Sequence, residues 1–309
     1  MWPLKLKPVT RAAKTPDRAP PSGRLLLCLF LTACGGSDPS PSGADLQAAA
    51  LHIRISPVYD YAWLDRNQSG QPDQFKPLHE REKLYEDLTS KPLDLLLLRG
   101  LGHSETIEHL QQALAARGAR FEHTLYLPGP DRYRGIGFLS QNPLDETLDL
   151  STQIFRIRSQ THQPFAGAVR IGNLWIWNAK APPPDFDYEQ RRNEARLLSQ
   201  AIRAQKAEGR EVLLSLHSRE EPGSPMLRMI SETGLKEIQA ADERGDRWTF
   251  RDPDHINYRR DQWLFASPLV AAGIGSAQVI DTPALRIAGP FRHQFLTLAV
   301  SGNTLQSFR

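Results

Sequence analysis

Asp94-Leu95-Leu96-Leu97-Leu98-Arg99-Gly100-Leu101 is the stretch whose reading decides the fold. Its leucines are apolar on both faces, as in a strand buried at the centre of a sheet. Outward from it, Leu51 to Val58 reads as an earlier strand, 75 to 89 as an amphipathic helix and 104 to 117 as a second helix. That second helix carries Ile107, Leu110 and Leu114 on one stripe, with Ser104 as its expected cap and Gly118 as its stop. The order is β, α, β, α, the signature of an α/β domain. Further strands are expected at 134 to 140, 152 to 158, 165 to 171 and 173 to 179, with Gly172-Asn173 closing a hairpin. A helix follows Pro184, opened by Asp187 with Gln190 as a capping box and closed by Gly209. A strand at 211 to 216, a short helix at 225 to 233, and strands at 263 to 266 and 295 to 300 complete the pattern.

Composition excludes several classes. The 309 residues are 40% apolar and 24% charged, which rules out collagen-like, coiled-coil and polytopic membrane chains. The net charge of +3 arises from the first 33 residues, where Lys5, Lys7, Arg11, Lys14, Arg18 and Arg24 face one acid, Asp17. The remainder is slightly acidic, so no global nucleic-acid or heparin reading follows from charge.

Gly135-Ile136-Gly137-Phe138-Leu139-Ser140, Leu174-Trp175-Ile176-Trp177-Asn178, Arg191 to Arg196, Glu221 to Pro225, Trp248-Thr249-Phe250 and Leu264 to Pro268 follow the Asp94 strand in order. Together they resemble the endonuclease/exonuclease/phosphatase superfamily over roughly 51 to 302. The resemblance implies a four-layer α/β sandwich, two mixed β-sheets packed face to face and flanked by helices. It also implies hydrolysis of phosphate esters with a divalent cation held by carboxylates.

The positions that would carry that chemistry are changed here. Gly100 stands where the family has its metal-binding Glu, and Pro57 where it has a phosphate-contacting Asn. Its Asn-x-His word matches Asn178-Ala179-Lys180, and its Gly-Asp-Phe-Asn word matches Leu216-His217-Ser218-Arg219. Arg-Ile-Asp-Tyr matches Arg260-Asp261-Gln262-Trp263, unless a shift of one residue gives Asp261 the role. The closing Ser-Asp-His matches Phe291-Arg292-His293, keeping only the His. Acids have become Gly100, His217, Gln262 and Arg292 while Lys180 and Arg219 were gained, a balance that repels Mg²⁺. The resemblance therefore implies a pseudoenzyme in which Lys180, Asn178, Arg219, Arg292 and His293 are candidate ligands for an anion, or else relics paired with nearby acids. The alternative is an active metal-dependent phosphodiesterase, nuclease or phosphatase using Mg²⁺ or Mn²⁺ with rearranged ligands drawn from Asp261, Glu220 or Glu221. It requires two carboxylates in one cavity near His293.

Other features carry less. Asp65, Asn67, Ser69 and Asp73 alternate like the front of a calcium loop, but Lys76 stands where a closing carboxylate belongs, so a polar turn is the simpler reading. The remaining histidines, His255 among them, lack metal-ligand spacing. Trp175 and Trp177 share one side of their strand and read as sheet-to-helix packing, and 251 to 260 as a polar loop.

Residues 1 to 33 read as a signal peptide, with the apolar run Leu25 to Leu31 too short for a spanning helix. Leu31-Thr32-Ala33-Cys34 resembles a bacterial lipobox, which implies acylation of Cys34. Residues 34 to 50 then form a flexible tether, and 303 to 309 a tail. Gly35 after the Cys is similar to outer-membrane sorting, implying a lipid-anchored envelope protein facing the periplasm. With Cys28 cleaved and Cys34 lipidated, no thiol remains for a disulfide, a zinc site or a nucleophile.

Overall fold

The computed structural model describes residues 50–69, 71–129, 135–252 and 257–299. The leader, Cys34, the tether, the tail and His255 lie outside the described residues. The first half of the domain runs β1 (Ala50–Tyr61), α1 (Leu78–Leu88), β2 (Leu95–Leu101), α2 (Ser104–Ala115), β3 (His123–Leu127), β4 (Gly135–Ser140) and β5 (Glu146–Asp149). A small ribbon of β6 (Phe155–Ile157) and β7 (Gln160–His162) precedes the hairpin β8 (Phe165–Ile171) and β9 (Leu174–Lys180). Then come α3 (Tyr188–Ala207), β10 (Glu211–His217), α4 (Pro225–Ser231), β11 (Lys236–Ile238) and the ribbon β12 (Phe250–Arg251) with β13 (Tyr258–Arg259). The chain continues through β14 (Gln262–Ala266), α5 (Pro268–Gly273), β15 (Ile274–Ile280), α6 (Pro283–Ala288) and β16 (His293–Ala299).

Two six-stranded sheets form, ordered β15-β16-β1-β2-β4-β3 and β11-β14-β10-β9-β8-β5. Each is antiparallel except for one central parallel pair, β1 with β2 and β9 with β10. A parallel pair requires a crossover, which α1 and α3 supply. Alternation then sorts side chains into layers. Ile53, Ile55, Leu95, Leu97, Ile176, Leu213 and Leu264 meet between the sheets. Leu96, Leu98 and Phe295 pack outward with Leu84 and Leu88 of α1 and Leu110 of α2, while Trp177, Leu214 and Phe265 pack outward with Ile202 of α3. This is the expected four-layer α/β sandwich of two mixed sheets. The Asp94 stretch supplies a strand buried on both faces at its centre.

Several local expectations are corrected. The strand expected at 152 to 158 is a 3₁₀ turn, Leu150–Thr152, followed by the short β6 outside both large sheets. Ser104 is the first helical residue and His103 the cap, with no side-chain cap bond. Asp187 does cap α3, accepting from the Glu189 amide at 2.8 Å, but Gln190 donates to Glu194 and leaves the capping box half made. Gly209, at φ +75°, ends that helix in the left-handed region that glycine adopts at no steric cost. Strands β3 and β15 and the six-residue helices α5 and α6 carry too little periodicity to be read in advance. Among the described residues no helix is long and apolar enough to cross a membrane.

Candidate functional site

Strand ends of both sheets meet at a cavity of about 230 Å³ lined by Pro57, Asp60, Arg99, Gly100, Phe165, Lys180, His217 and Phe291. Sheet register builds one wall. Phe165 pairs with Lys180, Lys180 with His217 and His217 with Gln262, so these residues stand in a row across four strands. Pro57 and Arg99 are partners on the facing sheet. Gly100 sits at a bulge with φ +84°, a left-handed conformation that a Glu would adopt only under strain.

Arg99 decides the chemistry of the cavity. Leu95 and Leu97 face the inter-sheet core and the same alternation turns Arg99 inward, where Nη2 donates to Ser215 Oγ on β10 of the opposite sheet. The residue is 3% exposed, and its Nε and Nη1 have no acceptor. Burial pushes its pKa down to about 9, and no carboxylate opposes that shift. His217, whose Nδ1 is buried and unpartnered, is held well below the usual imidazole range, first by burial and then by Arg99, Lys180, Arg219 and Arg259. It is therefore neutral beside several cations. Asn178 is not among the lining residues: it is fully buried, donating to the Leu98 carbonyl at 2.9 Å with its own side-chain oxygen unpartnered.

Metal chemistry asks for carboxylates here, and these residues do not fit a divalent cation. Asp60 is the one acid among the described lining residues. The substitute acids lie elsewhere. Glu220 is tied to Arg191 of α3, and Asp261 is buried against Arg259 at 3.3 Å, with burial raising its pKa. Among the described residues no group of three or more His, Cys, Asp or Glu is placed to hold a metal ion.

The structure separates the other sequence candidates from this cavity. Arg292 belongs to a neighbouring groove, where it pairs with Asp242 at 2.6 Å and stacks over Trp248 at 3.9 Å. His293 is the larger correction. It faces the helix layer, because it shares the outward alternation of Phe295 on β16. Its Nδ1 lies 3.0 Å from Arg54 Nη2, 3.1 Å from Ser56 Oγ and 3.4 Å from Asp87 Oδ2. A carboxylate thus does stand beside His293, although the word that carries it has Arg292 in place of the family's Asp. The arrangement is still no Ser-His-Asp triad, since serine and carboxylate crowd one ring nitrogen and all three residues are buried. Arg219 is exposed and acts on His217 and Asp261 through its charge. Gln262 donates to the Arg292 carbonyl at 2.7 Å.

Asp65 and Asn67 spend their oxygens on Ser69, whose amide donates to them at 2.7 and 3.2 Å, so this segment is a hydrogen-bonded polar turn. Asp73 donates its amide to the Gln71 carbonyl within the same turn. Trp177 lies under α3 and donates to Gln205 at 2.7 Å. Arg99 was the residue missed in the sequence. The available signal was a lone charge on the inward alternation of an otherwise apolar strand.

This architecture is that of the endonuclease/exonuclease/phosphatase fold. A protein of that description from Bacteroides vulgatus superposes with a TM-score of 0.62 at 11% identity, over 82% of this chain and all of its own. One from Leptotrichia buccalis gives 0.59 at 14%, over 80% and 99%. A 3'-5' exonuclease from Neisseria meningitidis gives 0.57 at 12%, over 80% and 99%. No family model and no curated protein matches the sequence.

Proposed function

We propose that this protein is a non-catalytic user of the hydrolase fold, tethered through acylated Cys34 to the bacterial outer membrane and facing the periplasm, whose cleft serves anion binding or scaffolding. One observation carries the reading. The cleft where the strand ends of both sheets meet presents Arg99, Lys180 and neutral His217 beside Gly100 and Pro57, with Asp60 as the one acid among the described lining residues, in place of a carboxylate set. A cavity with a net positive lining disfavours a divalent cation, and His217, held well below the usual imidazole range, is a weak base for activating water. His293, the one family-matched catalytic type that survives, is sealed under α1.

Hydrolysis of bis-p-nitrophenyl phosphate and plasmid DNA by the full chain, with Mg²⁺, Mn²⁺ or EDTA, tests the proposal. The expected outcome is the background rate under every condition. Metal-dependent turnover that Lys180→Ala or His217→Ala abolishes would overturn it in favour of an active phosphodiesterase, nuclease or phosphatase. The anchor has its own check. Labelled palmitate is expected to enter the chain in a bacterial host and to be lost in Cys34→Ser, with release from the membrane fraction.

A further inference from the structure

Arg99 and its surroundings point beyond a general affinity for anions. A buried guanidinium without a counter-charge destabilises the fold unless another interaction compensates it. Only one of its nitrogens has a protein partner, the neutral Ser215. The cavity it lines lies between the two sheets, with Arg99 of β2 on one and Lys180 of β9 beside His217 of β10 on the other, so cationic and polar donors face it from two sides. Donors spread in this way suit the oxygens of a tetrahedral group better than the coplanar pair of a carboxylate. The remaining walls are Pro57, Phe165 and Phe291, with Phe291 edge-on to His217 at 5.6 Å between ring centroids. These apolar walls leave room for a small organic body behind the anionic head. Asp60 is the opposing charge, and it sets the lining at one net positive charge while His217 is neutral.

We propose that this cavity is a metal-independent site for a tetrahedral oxyanion ester, a phosphate or sulfate monoester carried on a small apolar or aromatic group, with Arg99 as its anchor and Lys180 and His217 as the flanking contacts. The proposal rests on the non-catalytic reading above, yet the two fail differently. Turnover would remove that reading, whereas absence of binding removes this one.

Calorimetric titration of the full chain in EDTA with phenyl phosphate, phenyl sulfate, inorganic phosphate and benzoate is the test. Phenyl phosphate or phenyl sulfate is expected to bind without metal, and roughly tenfold tighter than the inorganic ion because the ring is taken out of water. Benzoate is expected to be weaker than either ester. Arg99→Met combined with Ser215→Ala removes the charge and its only partner together. It is expected to lose roughly 30-fold or more in affinity while melting at or above the wild-type temperature. If that variant fails to fold, or melts well below wild type, Arg99 is a structural residue and the proposal is overturned. Lys180→Gln, at the half-buried rim, is expected to fold normally and bind about tenfold more weakly. No binding of any probe, benzoate binding as tight as phenyl phosphate, or affinity that requires Mg²⁺ would each overturn the assignment.

Discussion

Two buried arginines on adjacent strands of one sheet have opposite fates. Arg54 of β1 points toward the helix layer and meets the Asp87 carboxylate and carbonyl, with His293 beside it. Arg99 of β2 points between the sheets and meets only a serine hydroxyl. Both are almost fully enclosed, and burial lowers the pKa of both, but only at Arg54 does a carboxylate pull the other way. The difference teaches what each cluster is for. A buried charge closed by its partner fastens α1 to the sheet. A buried charge without a carboxylate, at the wall of a cavity, is where the proposed anionic ligand would supply the missing counter-charge.

The comparison can be broken most directly at Asp87. Asp87→Asn leaves Arg54 uncompensated and is expected to cost about 3–5 kcal/mol in urea denaturation; a loss under 1 kcal/mol would erase the contrast with Arg99. Burial works against the Asp87 charge, but His293, Arg54 and Thr282 outweigh it and hold its pKa below the usual carboxylate range. Its contribution is therefore full above about pH 4 and falls away as the pH drops through the folded-state value.

Glu194 extends the rule to an acid. It is buried on α3 with only Gln190 as a hydrogen-bond partner, and burial pushes its pKa up to about 7. An acid whose folded pKa is raised loses stability as the pH rises from its unfolded value through 7. Glu194→Gln is accordingly expected to gain roughly 2–4 kcal/mol over wild type at pH 8 and little at pH 4, measured by denaturation at both.

His217 sharpens the contrast at the open site. Inorganic sulfate keeps its charge between pH 8 and pH 6, so any change in its affinity reports protonation of the protein. Burial first, and then the charges of Arg99 of β2, Lys180 of β9, Arg219 beyond β10 and Arg259 of β13, keep the ring neutral, with Asp60 and Asp261 as the nearby acids. A bound dianion offsets the cations' share of that shift and raises the ring's pKa in the complex, so sulfate is expected to tighten on acidification, by at most about tenfold per pH unit, and His217→Asn to flatten the profile. The smallest effect is expected at Asp242. Arg292 retains Asp281 at 3.7 Å when Asp242 becomes Asn, so stability should fall by about 1 kcal/mol or less, with phenyl phosphate binding unchanged.

Much of the fold was legible because periodicity is local. Leu95 to Leu98 could only be a two-sided strand, Ile107, Leu110 and Leu114 a helix face, and Gly172-Asn173 a hairpin, and each stands where the residues put it. The replacement of acids at Gly100 and His217 and the gain of Lys180 were equally readable, since a side chain's charge does not depend on its neighbours. Which of the candidates share a cavity depended on strand register and face. A step of one residue turns a side chain to the opposite side of a sheet, which is why Arg99 enters the cavity while His293, on the outward face of β16, is sealed against Asp87. The partners themselves, Asp87 for Arg54 and Ser215 for Arg99, come from segments far apart in the chain. The sequence by itself determined the elements and the sign of the charges. Only the packing of two sheets and their helices decided which buried charge meets a carboxylate and which does not, because desolvation and pairing act between surfaces that the linear order does not bring together.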